Sequence, residues 1–303
     1  MAETLTHRHE ILFIYDVKDA NPNGDPIDEN KPRIDEETGV NIVTDVRLKR
    51  TIRDYLFDHK NMEVFVREVK KEDGNLKTKE DRLDDLNISS ADDLINTCID
   101  IRLFGATAAI KNKTITFTGP VQFKFGRSLH RVKLDYVKGT TVMPSKEARK
   151  QGTFTEVYTL PYSLIVFHGI ANENAARHTR MTDSDLDLLM EAIWNGTKNL
   201  ISRSKFGQMP RLLLDIEYQE PNFHIGDLDK MVSIKKEDGI EDEALRDISQ
   251  LTLNILPLVE TLQREKGKIA RIRYAVDERL QMAPSISQLP ELLDGVSISS
   301  FSF

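Results

Sequence analysis

Residues 11–56 read ILFIYDVKDANPNGDPIDENKPRIDEETGVNIVTDVRLKRTIRDYL, and the changes of character along this stretch decide the fold. Ile11 to Val17 is too short for a solitary helix and rich in Ile, Phe, Tyr and Val, which predicts a strand in the middle of a sheet. Lys18 to Gly39 follows with three prolines, two glycines and many Asn and Asp, residues that make turns through fixed dihedrals or side-chain bonds to nearby amides. Long loops of this kind usually carry function. Asn41 to Val43 leads to Thr44, a suitable N-cap, and Leu48, Ile52, Tyr55 and Leu56 then recur on one helical face. Arg47, Lys49, Arg50 and Arg53 surround that face. The order is strand, exposed loop, basic helix.

The chain beyond this stretch supplies the rest of a sheet. Lys113 to Phe125 alternates around Gly119-Pro120 and predicts one strand with a bend; Val157 to Ile170 and Leu212 to Tyr218 predict two more. Thr182 and Asp185 form a capping box ahead of the apolar stripe Leu186, Leu189, Met190, Ile193, Trp194, Leu200 and Ile201. Gly126 to Glu156 is basic and lacks apolar periodicity, which predicts a protruding arm outside the core. In the C-terminal third, an acidic linker over Ile234 to Glu243 is expected before a helix from Glu243 to Gln263 and a strand over Ile269 to Val276. Without the insertions, the order strand, helix, strand, arm, strand, helix, strand is α+β, the βαββαβ order of a ferredoxin-like or RRM-like sheet.

With 303 residues, 39% hydrophobic and 30% charged, the chain suits one large globular domain with elaborations. No apolar run approaches a membrane span, the N-terminus lacks the features of a secretory signal, and the single Cys98 suits a buried hydrophobe, so a cytoplasmic protein without a membrane anchor is expected. The formal net charge of −7 taken alone argues against a nucleic-acid partner. The charges are segregated, however: Lys111 to Lys150 sums to about +8, while Asp54 to Asp100 and Glu220 to Glu260 each sum to about −6. One face can attract polyanions while another repels them, and an acidic surface on one copy can meet a basic surface on the next.

No Walker motif, dinucleotide GxGxxG or nucleophile elbow occurs, and none of the seven histidines has the spacing of a zinc site. Asp19, Asp25, Asp28 and Asp35 have the chemistry to hold Mg²⁺ for phosphodiester cleavage, but loop aspartates are ordinarily turn formers, so neither metal, cofactor nor catalytic residue is expected. The helix cations Arg47, Lys49, Arg50 and Arg53 and the loop Ser202 to Pro210 combine hydroxyls, amides and positive charge, the groups that hold phosphates without reading sequence. Met143, at the crest of the basic arm, is a candidate wedge between bases or a cover for a small apolar patch.

The blocks ANPNGDP, PRID, TDVRLKR, FGA, GPVQFKFGRSLH, QGTFTEVYTLPYSLIVFHGIAN and SRSKFGQMPRLL together resemble the backbone subunit of type I CRISPR effector complexes over residues 8–220, closest to the subtype I-B branch. The resemblance implies an RRM-like palm spanning 1–303, with a finger-type insertion over 60–104, a web region, a basic thumb arm over 127–156 and an acidic C-terminal elaboration over 220–303. It implies a non-catalytic subunit that polymerises along CRISPR RNA and leaves its bases free to pair with target DNA. Its partners would be further copies of itself, a processing endonuclease, a large and a small subunit, a second RAMP-like subunit and a recruited helicase-nuclease. Carried onto this chain, the RNA-binding residues would be Asn21, Asn23, Gly24, Arg47, Lys49, Arg50 and Arg53 in the palm. To these the resemblance adds Lys138, Met143, Lys146 and Arg149 in the thumb, and Ser202, Arg203, Ser204, Lys205 and Gln208 in the second palm loop. The rival reading is a metal-dependent endoribonuclease of the related type III kind, with Asp25 as its loop aspartate; a protein-only structural subunit is a third.

Overall fold

Ile11 to Val17 lies in the interior of a sheet, within the longer strand β1 (Arg8–Ala20). The computed structural model of the chain describes residues 3–110, 113–140 and 154–303. Every residue from His9 to Val17 is buried, which happens to a strand only when neighbours cover both edges and both faces. The remaining strands of the large sheet are β2 (Val40–Val43), β3 (Val121–Phe123), β4 (Gly126–Arg131), β5 (Asp135–Thr140), β6 (Phe154–Ala171), β7 (Gln208–Tyr218), β8 (Ile269–Val276) and β9 (Ser297–Ser300). Their order is β9-β8-β7-β1-β6-β4-β2, with β3 and β5 also pairing β6. β1 runs antiparallel to both β6 and β7, with Phe13 opposite Phe167 on one side and Leu213 on the other.

Alternation along β1 sends its side chains into two different cores. Ile11, Phe13, Tyr15 and Val17 pack with Leu48, Ile52 and Leu56 of helix α1 (Asp45–Lys60) and with Leu186, Leu189 and Ile193 of helix α2 (Asp183–Lys198). Leu12 and Ile14 pack with Leu253, Leu258, Leu262, Leu289 and Leu293 from the last third of the chain. Both caps form as the sequence predicts: the Thr44 hydroxyl accepts from the Arg47 amide at 3.3 Å, and Thr182 with Asp185 closes a capping box.

Four expectations need correction. Lys113 to Phe125 is two strands: Lys113–Thr118 pairs Gly105–Ile110 in a separate hairpin, and after Gly119-Pro120 the chain joins the large sheet as β3. Gly126 to Arg131 is not arm but sheet, and its inward positions include Gly126, Ser128 and His130, polar or small residues invisible to a search for apolar periodicity. Ser128 is satisfied in place, donating to the His130 carbonyl at 2.6 Å and accepting from the Asn41 amide at 2.9 Å. The described part of the arm is the ladder β5/β6, where Asp135–Thr140 pairs residues 154–159. The helix expected from Glu243 to Gln263 is a strand, Leu251–Asn254, and a shorter helix, Leu256–Arg264, started by Pro257. The stripe of α2 ends with the helix at Lys198, and Ile201 lies exposed beyond it.

Residues 61–118 project from the end of α1 with a core of their own, built on Phe65, Leu83, Leu94, Ile95, Cys98 and Ile101. The hairpin of Gly105–Ile110 and Lys113–Thr118 follows, and Ala108 joins the same cluster. Among the described residues, ion pairs tie the insertion to the sheet domain: Arg53 with Asp100 at 2.9 Å, Arg102 with Asp185 at 2.8 Å and Arg180 with Asp92 at 2.5 Å.

Candidate nucleic-acid interface

β1 ends and β7 begins at the same edge of the sheet, so the loop after Ala20 and the loop before Gln208 meet there. Backbone bonds fasten them: the Lys18 amide donates to Gly207 O at 2.9 Å and the Asn21 amide to Ser204 O at 2.8 Å. A side chain adds one more, from Lys205 Nζ to Asn21 O at 2.5 Å, and Gln208 Nε2 donates to Lys205 O at 3.1 Å within the second loop. Gly207 has a φ of +108°, and a Cβ there would stand 2.4 Å from Lys18 O. Gly207→Ala is therefore expected to unfasten the loop at a cost of about 1–3 kcal/mol, seen as faster exchange of the Lys18 amide and a lower melting temperature; unchanged exchange would show that the junction is not rigid.

The first loop is likewise built into the helix start. Asn23 Oδ1 accepts from both the amide and the hydroxyl of Thr44 at 2.9 Å, so the loop and the N-terminus of α1 move as one. Asn21 is buried, its Nδ2 donating to Asn30 O at 2.6 Å, and Gly24 is needed where a Cβ would meet the Asn30 side chain.

The four helix cations differ in what they face. Lys49 bonds Asp45 at 3.0 Å and Gln122 at 3.1 Å, and Arg53 bonds the fully buried Asp100; both also lie over the Phe104 ring. Arg50 pairs with Asp54 on the helix surface, with 2.7 and 2.9 Å contacts. Arg47 has no carboxylate partner among the described residues; it bonds Thr51 Oγ1 at 2.9 Å, and burial holds its pKa below the usual arginine range. Lys205 has no carboxylate partner there either. Burial, reinforced by the Arg47 charge, lowers its pKa to about 8. Two largely buried cations, neither with a carboxylate in ion-pair contact among the described residues, form a site that an anion relieves.

Arg47, Arg50 and Arg53 with Asn23 form one wall of a cleft of about 480 Å³. The rest of the lining comes from the insertion, which contributes Arg67, Lys77, Lys79 and Arg82 with one acid, Glu68, and the apolar Phe65 and Val66. Sequence reading missed this part of the lining because the insertion is acidic on average; the cluster Lys77, Lys79, Arg82 was its one local signal. Ser202 and Arg203 lie exposed on the second loop. Lys138 does not reach the cleft; it sits on the β5/β6 ladder, 3.7 Å from Glu156 and over the Tyr136 ring. Met143, Lys146 and Arg149 lie outside the described residues. Asp25 is engaged on both carboxylate oxygens, by Arg33 at 2.6 Å and by the Ile27 amide at 3.0 Å. Among the described residues no three His, Cys, Asp or Glu side chains are placed to share a metal ion, and no helix is long and apolar enough to cross a membrane.

The fold is similar to that of a chain in a structure titled "CRISPR RNA-guided surveillance complex, pre-nicking", with a TM-score of 0.57 and 12% identity over 94% of this chain and 99% of that one. A second, "CRISPR RNA-guided surveillance complex", gives a TM-score of 0.51 and 16% identity over 95% and 97%. The CRISPR-associated protein Cas7 of Haloferax volcanii is 33% identical over 311 aligned positions, covering 92% of this chain and 89% of that protein. The family described as CRISPR-associated protein Cas7 matches residues 7–256, and the chain belongs to that family.

Proposed function

We propose that this chain is a non-catalytic backbone subunit that polymerises along CRISPR RNA in a type I surveillance complex, of subtype I-B, gripping phosphates and leaving the bases to pair with target DNA. The observation that carries this reading is a cleft with arginines and lysines on its walls, among them Arg47, which like Lys205 of the second loop has no carboxylate partner among the described residues. Phosphate and sugar contacts suit a subunit that must accept any guide sequence. The covering of both sheet faces agrees, since an RRM-like palm whose sheet face is packed under Leu253, Leu258 and Leu289 has to bind RNA at its loop end instead. In this reading residues 60–104 are the finger, the β5/β6 ladder is the root of the thumb over 127–156, and 220–303 is the C-terminal elaboration. Further copies of the chain, a processing endonuclease, large and small subunits, a second RAMP-like subunit and a recruited helicase-nuclease are the partners, in the cytoplasm.

The ties from Asp25 to Arg33 and to the Ile27 amide favour a turn former over a metal ligand. Purified protein incubated with single-stranded RNA and Mg²⁺ is expected to bind the RNA and leave it intact. Cleavage that Asp25→Ala abolishes would establish the endoribonuclease; absence of binding would favour the protein-only role.

A further inference from the structure

The loop between β1 and β2 contains a small hairpin, Gly24–Asp25 paired with Lys31–Pro32, and its tip holds the most exposed large apolar side chain among the described residues: Ile27 is 96% exposed. The hairpin is stiff. The Asn30 amide donates to Asp25 O and the Lys31 amide to Asp28 O, both at 2.8 Å, while Asp25 Oδ1 caps the Ile27 amide and Pro26 fixes the preceding dihedral. Its root is the same Asn23 that accepts two bonds from Thr44 and lines the cationic cleft. Four residues separate Asn23 from Ile27, so the tip stands within about 14 Å of the cleft wall.

Each acid of the hairpin has a cationic neighbour that reduces its repulsion of a polyanion. Asp25 pairs with Arg33 at 2.6 Å, Asp28 with Lys31 at 2.7 Å and Glu29 with Lys31 at 3.3 Å. A strand whose phosphates sit in the cleft thus passes a rigid projection, its three carboxylates paired with two cations, ending in proline and isoleucine. Apolar side chains of this kind, presented beside phosphate contacts, enter between adjacent bases and interrupt their stacking. Stiffness matters because little order has to be gained when the side chain inserts.

Resting on the RNA-binding reading above, we propose that the Pro26-Ile27 tip is a wedge that enters between neighbouring bases of the bound strand. The wedge exchanges base stacking for apolar contact, so its removal changes the conformation of the strand more than the strength of binding.

The test uses the full chain with single-stranded RNAs carrying 2-aminopurine at successive positions, since that base brightens when unstacked. Wild-type protein is expected to brighten at least one position that Ile27→Ala leaves dark, with RNA affinity changed less than about threefold and the melting temperature unchanged, as suits a residue almost wholly in water. Arg47→Ala should weaken binding to every one of these RNAs. Identical brightening with Ile27→Ala overturns the wedge and leaves the RNA-binding reading standing. A change in self-association without any change in brightening also overturns it, and assigns Ile27 to contact with a second copy. No RNA binding by the wild type overturns both.

Discussion

Replacing Arg47 and Lys205 together by alanine is expected to weaken binding of single-stranded RNA by roughly 100-fold whatever its sequence, because each removes a charged bond worth about 1.5 kcal/mol. The same double change should flatten the dependence of log affinity on log salt by about 1.4, at about 0.7 per phosphate released. Lys205 adds a signature of its own. Its pKa of about 8 in the free protein means that it is cationic at pH 7 and largely neutral at pH 9, so RNA affinity should fall across that range and fall less in Lys205→Arg. The sign for stability is opposite: the folded pKa lies below the ordinary lysine value, so the unfolded state holds more protons between pH 8 and the ordinary value, and this group's contribution to stability rises with pH there. Cationic Lys205 burdens the free fold at neutral pH, and a bound phosphate relieves it. Binding isotherms at the two pH values check the first statement, and denaturant unfolding of the free protein at pH 8 and 9 checks the second.

Arg53→Ala is expected to act on the fold and leave RNA affinity within about threefold. Asp100 is fully buried and accepts from the amides of Phe65 and Val66 at 2.8 and 3.1 Å as well as from Arg53. Removing the guanidinium strands that charge where residues 61–118 join the sheet domain, at a cost of about 3 kcal/mol or more. For a chain of this size that is a drop in melting temperature of roughly 6–12 °C, and the cost should shrink in an Asp100→Asn background, where no charge is left behind. If RNA affinity instead falls 100-fold while the melting temperature holds, Arg53 is a phosphate ligand and the assignment of roles along α1 is wrong.

The core elements were legible because they are strong local signals. β1 announces itself by continuous apolar residues, α2 by its capping box and stripe, and β8 by its bounds, which match the predicted Ile269 to Val276. β4 was hidden because its inward residues include Gly126, Ser128 and His130, whose burial rests on hydrogen bonds formed only after β2 and β6 arrive. At the candidate site, sequence identified the loops and the basic helix but could not rank the cations. Lys49 and Arg53 look equivalent to Arg47 on a helical wheel, yet Asp45 and Asp100 claim the first two, and Asp100 lies 47 residues away in an insertion. The second wall of the cleft was obscured for a related reason: the acids of the insertion pair with its own bases, as Asp85 does with Lys77 and Glu63 with Arg82, so a sum of charges says little about what faces the cleft.

The central claim is that this chain grips the backbone of single-stranded RNA without reading its sequence. Its most direct test is the affinity of the purified protein for several unrelated RNA sequences of equal length, measured between 50 and 300 mM salt. The claim predicts affinities that agree within about threefold across sequences and fall steeply and in parallel as salt rises. Affinities that differ by orders of magnitude between sequences, or that ignore salt, would contradict it.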